Sequence, residues 1–121
     1  MIEVGRWRIV LVDSITQLEP SDAGSVAVSG SHGGTSSADF AAEVPLALAV
    51  FNDAGVGKDE AGIAGLARLE RQGRAAAAVS HLTARIGDAA DTWENGVISR
   101  VNAGAARLGL QPGQRLRDAL R

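Results

Sequence analysis

Four short, largely apolar runs, each followed at once by polar or glycine residues, constrain the fold more than any other feature of this sequence. The runs span residues 7–12, 25–29, 46–51 and 75–80. Their length and their content of β-branched and small apolar side chains predict buried strands. A segment with helical character follows three of them, which predicts strand–helix units and a sheet whose strands run mainly parallel.

The predicted helices between these strands begin and end at recognisable capping residues. Ser36 is the expected start of a helix over 36–44. A second helix is expected over about 59–72, with Gly73 as its C-cap residue, and a third over 89–95.

These elements predict one α/β domain that covers residues 1–121. The favoured architecture is a small three-layer αβα sandwich around a mainly parallel or mixed four-stranded sheet. The segment 13–24 is short for a crossover helix and has room for one helical turn near 16–18. The first strand is therefore expected either to be parallel like the others or to be antiparallel or at an edge of the sheet.

The C-terminal third predicts the best-marked helix, over 97–108, with Gly109 as its stop and a short amphipathic tail over 115–120. The apolar stripe of this region consists of Trp93, Val97, Val101 and Leu108, with Ile98, Leu116 and Leu120 expected to extend it outward. A symmetric dimer would bury that surface, so the sequence predicts a homo-oligomer. The alternative is that the tail folds back over the helix within one chain.

Charge and composition argue against two classes of partner. A net charge of −2 provides no basic surface to attract nucleic acid, and two Trp, two Phe and no Tyr offer no stacking platform for bases. No apolar run approaches the roughly 20 residues that a membrane span requires, and the first residues lack the order of a signal peptide. The chain also has no cysteine and so no disulfides. Together these observations predict a cytoplasmic protein with no nucleic-acid partner and no membrane partner.

Polar side chains directly follow each of the four predicted strands. They form the pairs Asp13 and Ser14, Ser31 and His32, Asn52 and Asp53, and Ser80 and His81. In open α/β sheets, ligands bind at the carboxyl ends of the strands, where loops lead into helix N-termini whose free N–H groups attract anions. The sequence therefore predicts a small-molecule site at this edge of the sheet.

The glycine-rich loop over 30–35 stands between a predicted strand and a helix start, and is the first candidate for an anion-binding loop. Gly33 and Gly34 allow a ligand to approach the backbone, while Ser31 and Thr35 supply hydroxyl groups. His32 is expected to be exposed, as a residue for acid–base chemistry should be. The alternative is an ordinary tight turn followed by a helix cap.

The loop after the third predicted strand supplies Asn52 and Lys58 as further candidate ligand-binding residues. It is not a Walker A loop, because Asn52 stands where the first glycine is required and Asp59 where Ser or Thr should follow the lysine. Arg85 is a candidate bidentate clamp for a carboxylate or a phosphate. For Lys58 and Arg85 the alternative is a solvated surface residue.

The predicted catalytic residues are His32, Asp53 and His81. Two histidines with a carboxylate would also bind a metal, and Ser31 or Ser80 with a histidine and an aspartate would form a hydrolytic triad. The sequence contains no HxH, HxxxH or Gly-x-Ser-x-Gly motif, so it assigns no metal ligand and identifies no cofactor. As loop residues, His32 and Asp53 are expected to contribute little to stability.

A set of short motifs lies between residues 84 and 120: ARIG at 84–87, DT at 91–92, NGVI at 95–98, ARLGL at 106–110, PG at 112–113 and RDAL at 117–120. Together they resemble the C-terminal part of small uncharacterised YunC-like bacterial proteins. The resemblance covers under a third of the chain and implies no particular activity.

The leading functional hypothesis is a small bacterial α/β protein that binds or acts on a small polar or anionic metabolite at the loops after its strands. Whether the protein is an enzyme stays open at this point. The alternative is a noncatalytic homo-oligomeric or accessory subunit.

Overall fold

The computed structural model describes residues 2–121, which form one mixed β-sheet with helices on both faces. The strands are β1 (Ile2–Val4), β2 (Trp7–Val12), β3 (Val26–His32), β4 (Leu48–Asn52), β5 (Ala76–Val79) and β6 (Ile98–Val101). Their order across the sheet is their order in the chain. β2 to β5 are parallel, whereas β1 and β6 are antiparallel to their neighbours at the two edges.

The α/β class and the mixed sheet are confirmed, but the described residues form six strands rather than the predicted four. β2 coincides with its predicted run, and β3, β4 and β5 overlap theirs. β2 is parallel to β3 and is covered on its other side by β1, so it is neither antiparallel to β3 nor at an edge. β1 has only three residues, too few to show a strand pattern in the sequence.

The predicted helix over 97–108 is wrong in its first half. Residues 98–101 form β6, and helix α4 (Ala103–Arg107) begins only after Asn102. Apolar residues four apart share one face of a strand as well as of a helix, so the spacing did not separate the two structures. The predicted stop is confirmed, because Gly109 has φ +97° and the N–H of Leu110 bonds the carbonyl of Ala105 in a Schellman arrangement.

The other helices are α1 (Thr35–Ala42), α2 (Ala64–Arg71), α3 (Ala89–Asn95) and α5 (Leu116–Ala119), with short 3₁₀ turns at Ile15–Gln17, Pro20–Asp22 and Lys58–Glu60. α1 and α2 pack on one face of the sheet, and α3 and α5 pack on the other. Successive side chains of β4 point to opposite faces of the sheet. Leu48 and Val50 pack in the core on the α3 side, and Ala49 and Phe51 pack in the core on the α1 side.

All three connections between the parallel strands lie on the α1 face, where Ile15, Ala38 and Leu66 share one core cluster. After β5 the chain crosses to the opposite face, and α3 packs there on β2 and β3. The strand order never reverses, so the sheet lacks the switch point at which ligands usually bind in such folds. Instead, the loop before α3 returns over the carboxyl ends of β2 and β3.

The apolar C-terminal surface expected to face outward is buried within the chain, so that prediction is wrong. Ile98, Leu116 and Leu120 are at most 1% exposed and Trp93 is 4% exposed. The tail folds back into the same core cluster as Trp93. None of the helices within residues 2–121 combines the length and apolarity that crossing a bilayer requires.

Candidate functional site

The polar pairs that follow the strands lie at one edge of the sheet, which we call the carboxyl edge. They comprise Asp13 and Ser14 after β2, Ser31 and His32 at the end of β3, Asn52 and Asp53 at the end of β4, and Ser80 and His81 after β5. Because these four strands are parallel neighbours, their carboxyl ends stand side by side. The predicted placement of the pairs is confirmed.

An open cleft of about 370 Å³ lies at the β2–β3 end of the carboxyl edge. We call it the edge cleft. It is bounded by the 3₁₀ turn after β2, the N-terminal turn of α1 and the loop before α3. The lining residues that carry its chemistry are Asp13, Ser31, His32, Ser37, Phe40 and Ile86. The volume falls within the range of small-molecule sites, roughly 300–1,000 Å³.

Hydrogen-bond donors dominate the inner side of the edge cleft. α1 follows Gly34, which has no side chain to cap the helix, so the N–H groups of residues 35–37 have no acceptor within the described chain. Ser37 as a residue is only 7% exposed and lines the cleft. Its hydroxyl has no hydrogen-bond partner within residues 2–121, and since no buried side-chain oxygen or nitrogen there lacks a partner, this hydroxyl is open to the cleft. The Ser31 hydroxyl accepts the N–H of Ile15 at 2.9 Å, which leaves its own hydrogen free to donate.

His32 adds a further donor through the tautomer that its surroundings select. Its Nδ1 accepts the N–H of Gly34 at 3.1 Å. In the neutral ring the hydrogen therefore resides on Nε2. His32 is exposed and lines the edge cleft, so this N–H is available to a ligand.

One carboxylate and two apolar side chains complete the edge cleft. Oδ1 of Asp13 accepts the N–H of Ala89 at 2.9 Å, and Oδ2 has no hydrogen-bond partner in the part of the chain described. Phe40 and Ile86 are 42% and 53% exposed, although both are large and apolar. Such side chains beside polar groups are typical of a site that covers the apolar part of a ligand.

A second cluster, centred on Asp53, lies further along the carboxyl edge. Oδ1 of Asp53 accepts the N–H of Gly55 at 2.8 Å, the N–H of His81 at 3.0 Å and His81 Nδ1 at 3.2 Å. Oδ2 accepts the Ser99 hydroxyl at 2.7 Å. Since His81 Nδ1 donates, Nε2 of the neutral ring is left as an acceptor on a side chain that is 44% exposed. Asp53 and His81 thus have the geometry of an oriented acid–base pair.

The pKa of Asp53 lies below its usual value. Burial of the carboxyl acts to raise the pKa, but hydrogen bonds from the Ser99 hydroxyl, from the N–H of Gly55 and from the backbone and ring of His81 outweigh this effect. The carboxyl is therefore ionised at neutral pH and able to hold the His81 ring in one orientation.

The loop after Asp53 has a series of left-handed backbone conformations. Ala54, Val56, Asp59 and Glu60 have φ values of +51°, +67°, +56° and +57°. For a β-branched residue such as Val56 this region costs on the order of 1–3 kcal/mol. Gly55 in the same loop lies against the His81 ring. Backbone strain of this kind concentrates at functional sites, and here it adjoins the oriented histidine.

Comparison with known proteins adds nothing to the argument for function, which rests on the geometry of the edge cleft and of the cluster around Asp53. No protein-family model, curated protein or solved structure matches this chain. The resemblance of its C-terminal third to YunC-like proteins therefore stays a prediction.

Several predicted ligand-binding residues lie inside the fold rather than in the edge cleft. Gly33 and Gly34 are buried, and their N–H groups bond Asn52 and His32. Asn52 is itself fully buried, with its amide bonded to the carbonyl of Ala84 and the N–H of Ala54.

Three other predicted residues lie at the surface. Thr35 is exposed as the first residue of α1, next to the edge cleft. Lys58 and Arg85 are exposed and lie outside the cleft lining. The ligand-binding roles of all these residues stay predictions.

The metal and triad alternatives receive no support from the arrangement of side chains. Within residues 2–121, no group of three or more His, Cys, Asp or Glu side chains is placed to hold a metal ion. Asp53 and His81 are paired, but the Ser99 hydroxyl bonds Asp53 and the Ser80 hydroxyl accepts the N–H of Leu82. Ser31 belongs to the edge cleft. A hydrolytic triad at His81 would lack its nucleophile.

Sequence reasoning missed four residues of these two clusters: Ser37, Phe40, Ile86 and Ser99. Adjacent serines at a helix start were a usable signal for Ser37, because hydroxyls in the first turn lie near the free N–H groups. Ser99 was missed because its segment was predicted to be helical. Phe40 and Ile86 had no signal, since exposure of an apolar side chain is set by packing rather than by local pattern.

Proposed function

We propose that this chain binds a small polar or anionic metabolite in the edge cleft. The observation that carries the proposal is the convergence of unpartnered donors on this cleft, from the first turn of α1, Ser37, Ser31 and His32. Free N–H groups and the dipole of a helix both favour an anion at its N-terminus. The proposal extends to a chemical step through His32, Asp53 and His81. Of these, only His32 lines the edge cleft. Nε2 of His81 would accept a proton only from a substrate that reaches from the cleft along the carboxyl edge.

Titration of the ¹⁵N-labelled protein with sodium acetate tests the proposal. We expect amide shifts confined to residues 31–37 and 86–87, with a rise in melting temperature as the anion saturates the site. Ser37→Ala should weaken this binding, whereas Asp39→Asn, an exposed residue of α1 outside the cleft lining, should not. Shifts scattered over the surface, or none in the millimolar range, would contradict a site in the edge cleft.

The second candidate function is a homo-oligomeric or accessory subunit. The observation in its favour is that three large apolar side chains on or near the carboxyl edge, Phe40, Leu82 and Ile86, are 42%, 84% and 53% exposed. A partner that covered them would remove this apolar surface from water. Sedimentation equilibrium checks it: a monomer at high micromolar concentration would exclude self-association. A Leu82→Ser variant that dissociates without unfolding would support it.

A further inference from the structure

We infer that the ligand of the edge cleft is an apolar α-amino acid, an inference that rests on the proposed function and names its ligand class. Three features of the cleft point to one molecule: donors for a carboxylate, a carboxylate for an ammonium group and apolar side chains for a hydrocarbon chain. Each is argued from different residues.

The donor side of the cleft fits a singly charged carboxylate rather than a phosphate. The free N–H groups of residues 35–37 and the hydroxyl of Ser37, a residue more than nine-tenths buried whose hydroxyl opens only into the cleft, offer hydrogen bonds to an anion. No Lys or Arg is among the cleft-lining residues in the described part of the chain. A dianion would therefore lack the countercharge that phosphate sites normally provide, whereas a carboxylate is satisfied by N–H and O–H donors.

The carboxylate of Asp13 points to a positively charged group on the ligand. Its Oδ1 is held by the N–H of Ala89, which fixes the carboxylate at the cleft with Oδ2 still open. This fixed negative charge weakens the binding of a plain carboxylate such as acetate without preventing it. A ligand with an ammonium group converts the repulsion into a charge-assisted hydrogen bond.

The apolar part of the ligand is assigned to Phe40 and Ile86. Both line the same cleft and remain about half exposed in the chain alone. A hydrocarbon side chain between them would remove apolar surface of both protein and ligand from water. Glycine would gain none of this stabilisation, so the inferred ligand has a side chain such as that of leucine.

Four probes separate these contributions without altering the protein: L-leucine, N-acetyl-L-leucine, L-leucinamide and glycine. By calorimetry and amide shifts at residues 31–37, we expect L-leucine to bind about ten- to a hundredfold more tightly than each of the other three. N-acetyl-L-leucine lacks the ammonium, L-leucinamide lacks the carboxylate and glycine lacks the side chain. Equal or tighter binding of N-acetyl-L-leucine would overturn the inference.

Two variants are expected to change the affinity for N-acetyl-L-leucine in opposite directions, which distinguishes an effect on binding from misfolding. Asp13→Asn keeps an acceptor for Ala89 and should weaken L-leucine but strengthen N-acetyl-L-leucine, whereas Ser37→Ala should weaken both. Asp39→Asn serves as the control that changes neither. If acetate shifts the cleft amides and L-leucine does not, the amino-acid inference fails while the proposed function stands. If no probe shifts them, both fail.

Discussion

The carboxylate of Asp53 joins three segments that are distant in the chain. It bonds the loop after β4 through Gly55, the loop after β5 through His81, and β6 through Ser99. From its loop position the sequence predicted little contribution to stability, but its side chain is only 7% exposed. His32, by contrast, is exposed as expected. The expectation for Asp53 is therefore reversed, while that for His32 is kept.

We predict that Asp53→Asn lowers the free energy of unfolding at pH 7 by about 1–3 kcal/mol, because buried donors lose an ionised acceptor. The pKa of Asp53 is lowered in the folded protein relative to about 3.9 when unfolded, so its stabilisation is present above that pH and is lost as the pH falls through the folded pKa. Urea unfolding at pH 7 and pH 3 should show the difference between wild type and variant shrinking in acid.

Glu43→Gln is the control for Asp53→Asn, because Glu43 is exposed at the end of α1. It should change stability little at either pH. A penalty for Asp53→Asn that stays constant down to pH 3 would show that the ionised carboxyl is not what stabilises the fold.

At the scale of elements, α3 is held over the sheet by the buried side chain of Trp93 and, at the loop that precedes it, by close backbone approach. Gly30 in β3 lies so near the backbone of Gly87 and Asp88 that an added Cβ would stand 2.5 Å from the Gly87 carbonyl carbon. The N–H of Gly87 bonds the carbonyl of Gly30 at 2.8 Å. Asp88 caps α3 through the N–H of Asp91. The loop before α3 thus forms one side of the edge cleft.

We predict that Gly30→Ala destabilises the protein by about 1–3 kcal/mol, because backbone atoms cannot move aside as a flexible side chain would. Amide shifts should change over residues 86–89, and ligand binding in the edge cleft should weaken. Gly73→Ala is the control: its site is open, so only its φ of +72° opposes a side chain, by about 1 kcal/mol. Shifts limited to residue 30 and its neighbours in β3 would contradict this account.

The same elements show what the sequence was able to predict. Residues 7–12 and 89–95 were predicted with the observed bounds, because their patterns and caps are local. β6 was not predicted, since its apolar spacing also fits a helix and only its pairing with β5, 19 to 24 residues away in the chain, identifies it as a strand. The carboxyl edge was predictable because neighbouring parallel strands place their carboxyl ends side by side. The edge cleft was not predictable, because it depends on the position of the loop before α3.

For the whole molecule, the C-terminal tail is part of the core. Leu116 and Leu120 are at most 1% exposed and share a cluster with Trp93 and Ile98. The side chains that suggested a dimer are therefore already covered by the chain itself. Any self-association has to use another surface.

We predict that Leu120→Glu unfolds or strongly destabilises the protein, by about 3 kcal/mol or more, because it buries an unpaired charge. Circular dichroism during thermal denaturation measures this loss. Gln111→Glu, an exposed position with the same new charge, should leave the melting temperature unchanged. A Leu120→Glu protein that keeps its melting temperature but loses a dimeric mass would restore the outward-facing interpretation.

The sequential strand order has a kinetic consequence. Neighbouring strands close over short stretches of chain: the pairs Ile9–Val26 and Ala49–Ala76 are 17 and 27 residues apart. The contact between Asp13 and Ala89 closes 76 residues, so its entropic cost is the larger and docking of α3 is expected to come late in folding. A molecule bound in the edge cleft contacts both the turn after β2 and the loop before α3, which this late step brings together. Its binding would therefore slow the detachment of α3 from the sheet.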